Sequence, residues 1–138
     1  NYHWICAGID YNSTPFMRAM DWSTLDDAWP MDNSDPRKYT KASAAMYQNA
    51  GESGISVPAV VNDVVFMATT QLALYAFSAT DGTLLWNDMV NFGQQTMGFM
   101  GGYGYCMGPA IWGNYVVAGA LVECRTAGGV LNIYKLGS

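Results

Sequence analysis

Side chains that could line a ligand pocket are concentrated in two glycine-rich segments of this 138-residue chain. The first, "NDMVNFGQQTMGFMGGYGYCM" (87–107), contains amides and phenols, and the second, "GALVECRTAGG" (119–129), contains a charged pair. Glycine lets the backbone approach a ligand closely, while amide, phenol and charged groups fix the orientation of the ligand through hydrogen bonds. We therefore take six residues as pocket candidates: Gln94, Gln95, Tyr103, Tyr105, Glu123 and Arg125.

The same residues also have structural interpretations. Tyr103 and Tyr105 could form an aromatic plug that excludes water instead of contacting a ligand. Glu123 and Arg125 could form an exposed ion pair, which contributes under about 1 kcal/mol to stability. The sequence assigns no catalytic base or nucleophile.

The three cysteines do not have the spacing of a zinc site. No C-x-x-C pair is present and His3 is the only histidine, so we expect no metal in this segment. Cys106 and Cys124 both lie in the glycine-rich segments and could form a disulfide. Cys6 is predicted to lie in a strand and to pack as a small apolar group. The "MDNSD" stretch (31–35) lacks the ligand spacing of a calcium loop and is better explained as a capped turn.

The charge composition limits the classes of function. Only 12% of the residues are charged, against roughly 25% in an average soluble domain, and the net charge is -5. Few ion pairs are available to be lost when carboxylates protonate, which suits an exported protein that works in acid, although ordinary secretion explains the composition equally well. The acidic balance argues against nucleic acid as a partner. We expect neither a membrane span nor a signal peptide, because no long apolar run is present.

The chain is predicted to be a set of repeats. The stretch "AMDWSTLDDAW" (19–29) returns as "AFSATDGTLLW" (76–86), 57 residues later, and each copy runs from Ala to Trp through a polar turn. Periods of roughly 20–50 residues, or somewhat more, are typical of solenoids and propellers. Three further matches follow the same order: "VPAVVNDVVFMA" (57–68) with "GPAIWGNYVVAGA" (108–120), "LYAFSA" (74–79) with "LNIYKL" (131–136), and "HWICAG" (3–8) with "VVFMAT" (64–69).

Each repeat is predicted to consist of four short antiparallel strands. In the complete unit, 55–90, tight turns are expected at Asn62-Asp63 and at Thr80-Asp81-Gly82, because these residue types tolerate positive φ or are common in turns. Helical periodicity is weak except at 39–51, where one or two turns could form within a loop. The fold class is therefore all-β.

Four-stranded antiparallel units at this spacing are typical of the blades of a β-propeller. Residues 1–35 then form part of a blade, and residues 105–138 form a last blade that lacks its outer strand. Trp29 and Trp86 are predicted to fill the wedge between neighbouring blades, and Gly82 allows the close approach. The less specific alternative is that the two tryptophans are core residues of a β-sandwich.

The pattern A-x-[DS]-x-x-[TDS]-G-x-x-x-W resembles the tryptophan-docking repeat of the quinoprotein alcohol dehydrogenase-like propellers, the pyrroloquinoline quinone (PQQ)-type repeat family. The segment "PAVVNDVVFMATTQLALYAFSATDGTLLW" (58–86) is similar to the blade of that family over its whole length. The resemblance implies a propeller of usually eight blades, of which this chain supplies about two and a half. Two features depart from the pattern: Leu25 stands where the turn glycine is expected, and the last unit stops after "LNIYKL" (131–136).

About two and a half blades would leave sheet faces and strand edges uncovered. We therefore expect the chain to be the C-terminal portion of a larger propeller. The expected partner is the set of remaining blades, either as a companion chain or as a missing segment, and a homo-oligomer is a further option. In the family that the chain resembles, a strand from the N-terminus commonly completes the last blade. The missing outer strand of 105–138 would accommodate such a strand.

The resemblance implies three functions. The first is an exported hydrolase of sulfur compounds that is active in acid and similar to tetrathionate hydrolase, a member of this family that works without PQQ. The second is an alcohol dehydrogenase that uses PQQ with calcium, although the cofactor-binding residues of that class are not visible in this segment. The third is a non-catalytic scaffold that binds peptides or proteins. The sparse charge favours the hydrolase, with a small-molecule substrate, a periplasmic or extracellular location and no cofactor held by this segment.

Overall fold

The described part of the chain consists of short antiparallel strands and one helix. The computed structural model describes residues 3–9, 15–34, 39–50, 57–68, 73–89, 109–123 and 128–137. The elements, in chain order, are β1 (His3–Ile9), β2 (Pro15–Asp21), α1 (Lys41–Ala50), β3 (Ala59–Val61), β4 (Val64–Ala68), β5 (Ala73–Ser78), β6 (Leu84–Met89), β7 (Ala110–Trp112), β8 (Tyr115–Glu123) and β9 (Gly128–Lys135). No helix among these residues is long and apolar enough to cross a membrane.

The strands form three sheets in which neighbours along the chain pair with each other. The first sheet is β1–β2, the second is β3–β4–β5–β6 and the third is β7–β8–β9, and every pairing is antiparallel. The structure is therefore mainly β, as the sequence predicts. The three described sheets do not close into a ring.

The turns of the second sheet occur where the sequence predicts them. Asn62 and Asp63 join β3 to β4 with φ of 46° and 62°, the left-handed values that a two-residue hairpin turn requires. Gly82, with φ of 77°, lies in the turn between β5 and β6. The amide of Ala79 donates to the carbonyl of Asp63 at 2.8 Å, so the two turns at this end of the sheet are tied together.

The second sheet is buried on both of its faces, which explains the continuous apolar run of β4. Val65 and Met67 face one apolar cluster, while Phe66 and Ala68 face another. The first cluster joins the second sheet to β2 and α1, and the second cluster joins it to the third sheet. The three sheets therefore pack face to face in chain order.

The first sheet has two strands among the described residues, where the second sheet has four. After β2 the chain turns back and makes one bridge, Met20 to Asp27. The amide of Asp21 donates to the carbonyl of Asp26, and that of Ala28 donates to the carbonyl of Ala19, both at 2.8 Å. Trp29 then enters the core at 1% exposure. The chain is drawn away from the edge of β2 at this point, so no outer strand forms there.

The edge of β2 is covered by the start of α1 instead. The hydroxyl of Ser43 accepts the amide of Met17 at 2.8 Å, and the hydroxyl of Thr40 donates to the carbonyl of Met17 at 2.7 Å. The equivalent residue of the second sheet, Leu74, faces Asp88 of β6. Two buried hydroxyls therefore satisfy the backbone groups that an outer strand would otherwise pair.

Helix α1 is ten residues long, which is longer than the one or two turns expected. Thr40 caps it, because its hydroxyl accepts the amide of Ser43 at 3.2 Å. Ala42 and Met46 are fully buried in the cluster between the first and second sheets. The weak helical periodicity of the sequence does not predict a helix of this length. Capping and burial of its apolar side chains stabilise it.

The third sheet repeats the second without its outer strand, within the described residues. Val116 pairs with Tyr134 as Val65 pairs with Phe77. The amide of Leu136 donates to the carbonyl of Asn114 at 2.6 Å, which is the same bond that Ala79 makes in the second sheet. The sequence matches that predict the repeat therefore correspond to equivalent pairing registers.

The hydroxyl contacts of α1 make a stability prediction. We expect Ser43→Ala to lower the free energy of unfolding by about 1–3 kcal/mol, because the buried amide of Met17 loses its acceptor. Urea unfolding followed by tryptophan fluorescence measures the change. Ser34→Ala is the matched control, because Ser34 is exposed and bonds only within its own turn. Equal effects of the two substitutions would contradict the assigned role of Ser43.

Candidate functional site

The turn from Ala79 to Thr83 is the junction between the first and second sheets. The indole Nε1 of Trp29 donates to the carbonyl of Ala79 at 2.8 Å. The indole ring lies directly against Gly82, so that a Cβ added there would be 2.9 Å from Cε3 of Trp29. Only glycine suits this position, because it combines close approach with a positive φ.

A charged contact holds the same turn to helix α1. The carboxylate of Asp81 accepts the hydroxyl of Thr83 at 2.7 Å, the amide of Thr83 at 3.0 Å and the ammonium of Lys41 at 3.2 Å. The hydrogen bonds of Thr83, assisted by Lys41, lower the pKa of Asp81 to about 2. Asp81 therefore stays ionised in moderately acidic solution, and its contacts with Lys41 and Thr83 persist there.

An open cleft of about 320 Å³ lies beside this junction, at the first turn of α1. Its far wall is built by residues after Trp29, which a Met31–Thr40 bridge and a 2.9 Å bond from Asp32 to the carbonyl of Tyr39 hold in place. The lining residues are Pro30, Met31, Asp32, Tyr39, Thr40, Lys41 and Ala44. The cleft lies in the connection between Trp29 and β3.

The chemistry of the cleft suits binding rather than catalysis. Asp32 and Lys41 carry the charge among its lining residues, and both are engaged: Asp32 accepts two bonds from Ser34, and Lys41 contacts Asp81. The remaining walls are largely apolar. Apolar walls with a few polar groups suit a small molecule with an apolar body.

One buried phenol lies in the core between the first and second sheets. Tyr75 is fully buried and stacks on Phe77 with ring centroids 5.6 Å apart. Its hydroxyl has no hydrogen-bond partner among the described residues. Burial raises the pKa of Tyr75 to about 12, so this phenol remains neutral at any working pH.

The pocket predicted from the sequence lies largely outside the described residues. Glu123 is the last residue of β8, and its side chain is not among those described. The other pocket candidates and the proposed disulfide also lie outside the described ranges, so both stay predictions: Gln94, Gln95, Tyr103, Tyr105, Arg125, Cys106 and Cys124. Within the described residues, no group of three or more His, Cys, Asp or Glu side chains could hold a metal ion.

The second tryptophan of the repeat has different surroundings from the first. Trp86 is 42% exposed and meets Tyr134 of β9 edge to face, with centroids 5.3 Å apart. The hydroxyl of Tyr134 donates to the carboxylate of Asp88 at 2.9 Å. Trp86 therefore lies against an aromatic side chain of the third sheet, where Trp29 lies against glycine.

Sequence reasoning did not find the contacts made by the start of α1. The signal available in the sequence was the pair of hydroxyl residues Thr40 and Ser43, three positions apart, at the start of the segment that forms α1. That spacing indicates a capped helix start, but it does not show that the hydroxyls reach β2, more than twenty residues away.

Comparisons with known proteins show the fold alone. No protein-family model matches this chain, and no curated protein matches it either. The chain is similar to the crystal structure of the computationally designed Ika4 protein, with 14% identity and a TM-score of 0.55 over 96% of this chain. It is also similar to the designed Ika8 protein, with 13% identity and a TM-score of 0.56 over 96% of this chain. The chain spans 61% of the length of Ika4 and 30% of that of Ika8.

The close contact between Trp29 and Gly82 makes the second prediction. We expect Gly82→Ala to destabilise the fold by roughly 2–4 kcal/mol, because the methyl group both collides with the indole and sits on a left-handed backbone. Gly113→Ala is the matched control, since Gly113 also has positive φ but has no atom within 4 Å of an added Cβ. The control should lose about 1 kcal/mol. Equal losses in urea unfolding would show that the indole contact contributes nothing.

The contacts of Asp81 predict a pH dependence. Its pKa is lowered on folding, so the stability it contributes is present above the unfolded pKa of about 4 and is lost as the pH falls through about 2. We expect Asp81→Asn to lower the urea midpoint between pH 4 and 7, and this difference from the unsubstituted chain to vanish near pH 2. Asp63→Asn is the control, because its side chain makes no hydrogen bond among the described residues. A difference that is unchanged at pH 2 would contradict the assignment.

Proposed function

We propose that this chain supplies consecutive blades of an exported β-propeller enzyme of the PQQ-type repeat family, which hydrolyses a sulfur compound such as tetrathionate in acid. The observation that carries the proposal is the contact of Trp29 with Gly82 and the carbonyl of Ala79. In this contact, the last residue of one repeat motif docks on the turn of the next repeat. This is the arrangement expected of a tryptophan-docking propeller.

The order of the sheets supports the propeller part of the proposal. Each described sheet packs its face against the next sheet along the chain, and the inner strands β3 and β7 approach each other. Sheets stacked in this way, with their first strands on the same side, are what consecutive blades around an axis require.

Two features support activity in acid. The Asp81 carboxylate, whose pKa is about 2, keeps the helix α1 and the second sheet connected at pH values where ordinary carboxylates protonate. The sequence contains only 12% charged residues, so few other ion pairs are lost in acid. Both features suit an exported protein that meets low pH.

In this proposal the substrate binds at the glycine-rich segments and not in the described cleft. In this proposal Tyr103 and Tyr105 hold the substrate, together with Gln94 and Gln95 of the same segment. Hydrogen bonds from phenols and amides are suited to the anionic oxygens of a polythionate. The catalytic base is not among the residues that we assign.

The test is incubation of the purified protein with tetrathionate at pH 2–4, with thiosulfate and sulfate measured as products and the fourth sulfur atom left as elemental sulfur. Hydrolysis without bound quinone supports the proposal. The visible absorbance of PQQ together with alcohol oxidation would replace it with the dehydrogenase. Neither activity, with binding of peptides instead, would leave the scaffold.

A matched pair of variants tests the pocket. We expect Tyr103→Phe and Tyr105→Phe each to lower kcat/KM about tenfold, because each removes a hydrogen bond to a charged substrate. Tyr115→Phe, which changes a phenol on the third sheet, should leave kcat/KM unchanged. If all three variants behave alike, the assignment of the pocket is wrong.

A further inference from the structure

The outward face of the third sheet is largely apolar and open to solvent, and it also contains the exposed Lys135, which pairs with Tyr115. Trp112 is 83% exposed, Ile133 is 62% exposed and Tyr115 is 41% exposed. Trp112 pairs with Tyr115 across β7 and β8, and Val117 pairs with Ile133 across β8 and β9, so these side chains form one continuous surface. We call these four residues the β7–β9 face. Exposed apolar surfaces of this kind mark interaction sites.

The equivalent face of the second sheet is covered. Val117 of β8 occupies the position of Phe66 in β4, because each is the third residue after the hairpin turn that begins its strand. Their pairing partners, Ile133 of β9 and Ala76 of β5, are therefore equivalent as well. Phe66 and Ala76 are buried against the third sheet, at 4% and 5% exposure. The β7–β9 face is therefore the one of three equivalent faces that no described residue covers.

The two described interfaces are built in the same way. In each interface, the face of one sheet that is equivalent to the β7–β9 face meets the opposite face of the next sheet along the chain. Ala19 shares its cluster with Phe77, and Ala76 shares its cluster with Tyr134, so a small side chain and an aromatic one combine at the same place. Such head-to-tail interfaces can repeat, and they form a ring where the rotation between neighbours closes it and an open array where it does not.

We propose that a fourth sheet of the same repeat, belonging to the same protein, covers the β7–β9 face. This inference rests on the proposed function, in which the chain is part of a larger propeller. The covering sheet presents the face equivalent to Val65, Met67 and Phe77. Because Ile133 is larger than Ala19 or Ala76, the residue that meets it is smaller than Phe or Tyr.

A second copy of this chain fits the face less well. The free face of its first sheet contains Arg18, which is paired with Asp27. Docking that face on Trp112 would bury an ion pair against apolar side chains, and such desolvation is unfavourable.

The test is hydroxyl-radical footprinting of the protein isolated at its natural length, with oxidation of individual tryptophans measured by mass spectrometry. Trp22 is the matched control, because it is 58% exposed in a turn away from the β7–β9 face. We expect Trp112 to be oxidised at least tenfold more slowly than Trp22. Equal or faster oxidation of Trp112 overturns the inference. Protection that disappears on dilution assigns the face to a second copy and also overturns it.

Two variants of the same full-length protein add an independent measurement. Trp112→Lys should lower the thermal midpoint by several degrees, and by clearly more than Trp22→Lys does. If Trp112→Lys does not fold, Trp112→Phe replaces it, with a smaller fall expected. Protection of Trp112 without tetrathionate hydrolysis would refute the proposed activity alone. Hydrolysis with Trp112 fully oxidised would refute this inference alone.

Discussion

The fit of the Trp29 indole into the turn of the second sheet is the interaction on which the other described contacts depend. It requires a glycine at position 82, whose positive φ and missing Cβ leave room for the ring. It also requires the carbonyl of Ala79 as an acceptor at 2.8 Å. Among the described residues no strand follows β2 in the first sheet, and the residues after Trp29 line a cleft at the start of α1.

Without an outer strand, the backbone groups at the edge of β2 need other hydrogen-bond partners, and side chains supply them. A buried strand edge with unpaired backbone groups is strongly unfavourable. Thr40 and Ser43 supply hydroxyls to both backbone groups of Met17, and the same residues cap α1. The helix therefore packs its apolar side on the first and second sheets, in the place that an outer strand would otherwise take. Lys41 then lies close enough to reach Asp81, which links the helix to the docking turn.

These contacts give the described region two functional properties. The link between Lys41, Asp81 and Thr83 persists in acid, because the hydrogen bonds of Thr83 stabilise the ionised carboxylate of Asp81. The row of sheets ends in an apolar face around Trp112, which has the same form as the faces that are covered inside the row. In our proposals, the first property suits a protein that works in acid, and the second marks the surface on which a further sheet packs. Neither identifies a catalytic residue.

The sequence by itself determined the repeat, the antiparallel strands of the second and third sheets and their turns. These features are local: Asn62, Asp63 and Gly82 select their turns through their own backbone preferences, and continuous apolar runs indicate buried strands. Only the tertiary structure decided that α1 replaces an outer strand, that a cleft forms beside it, and that Trp29 and Trp86 have different neighbours. The contacts of α1 with β2 and of the two tryptophans with their neighbours join residues more than twenty positions apart, and the cleft forms beside them. No local preference encodes such a contact, because its free energy depends on which surfaces the rest of the fold brings together.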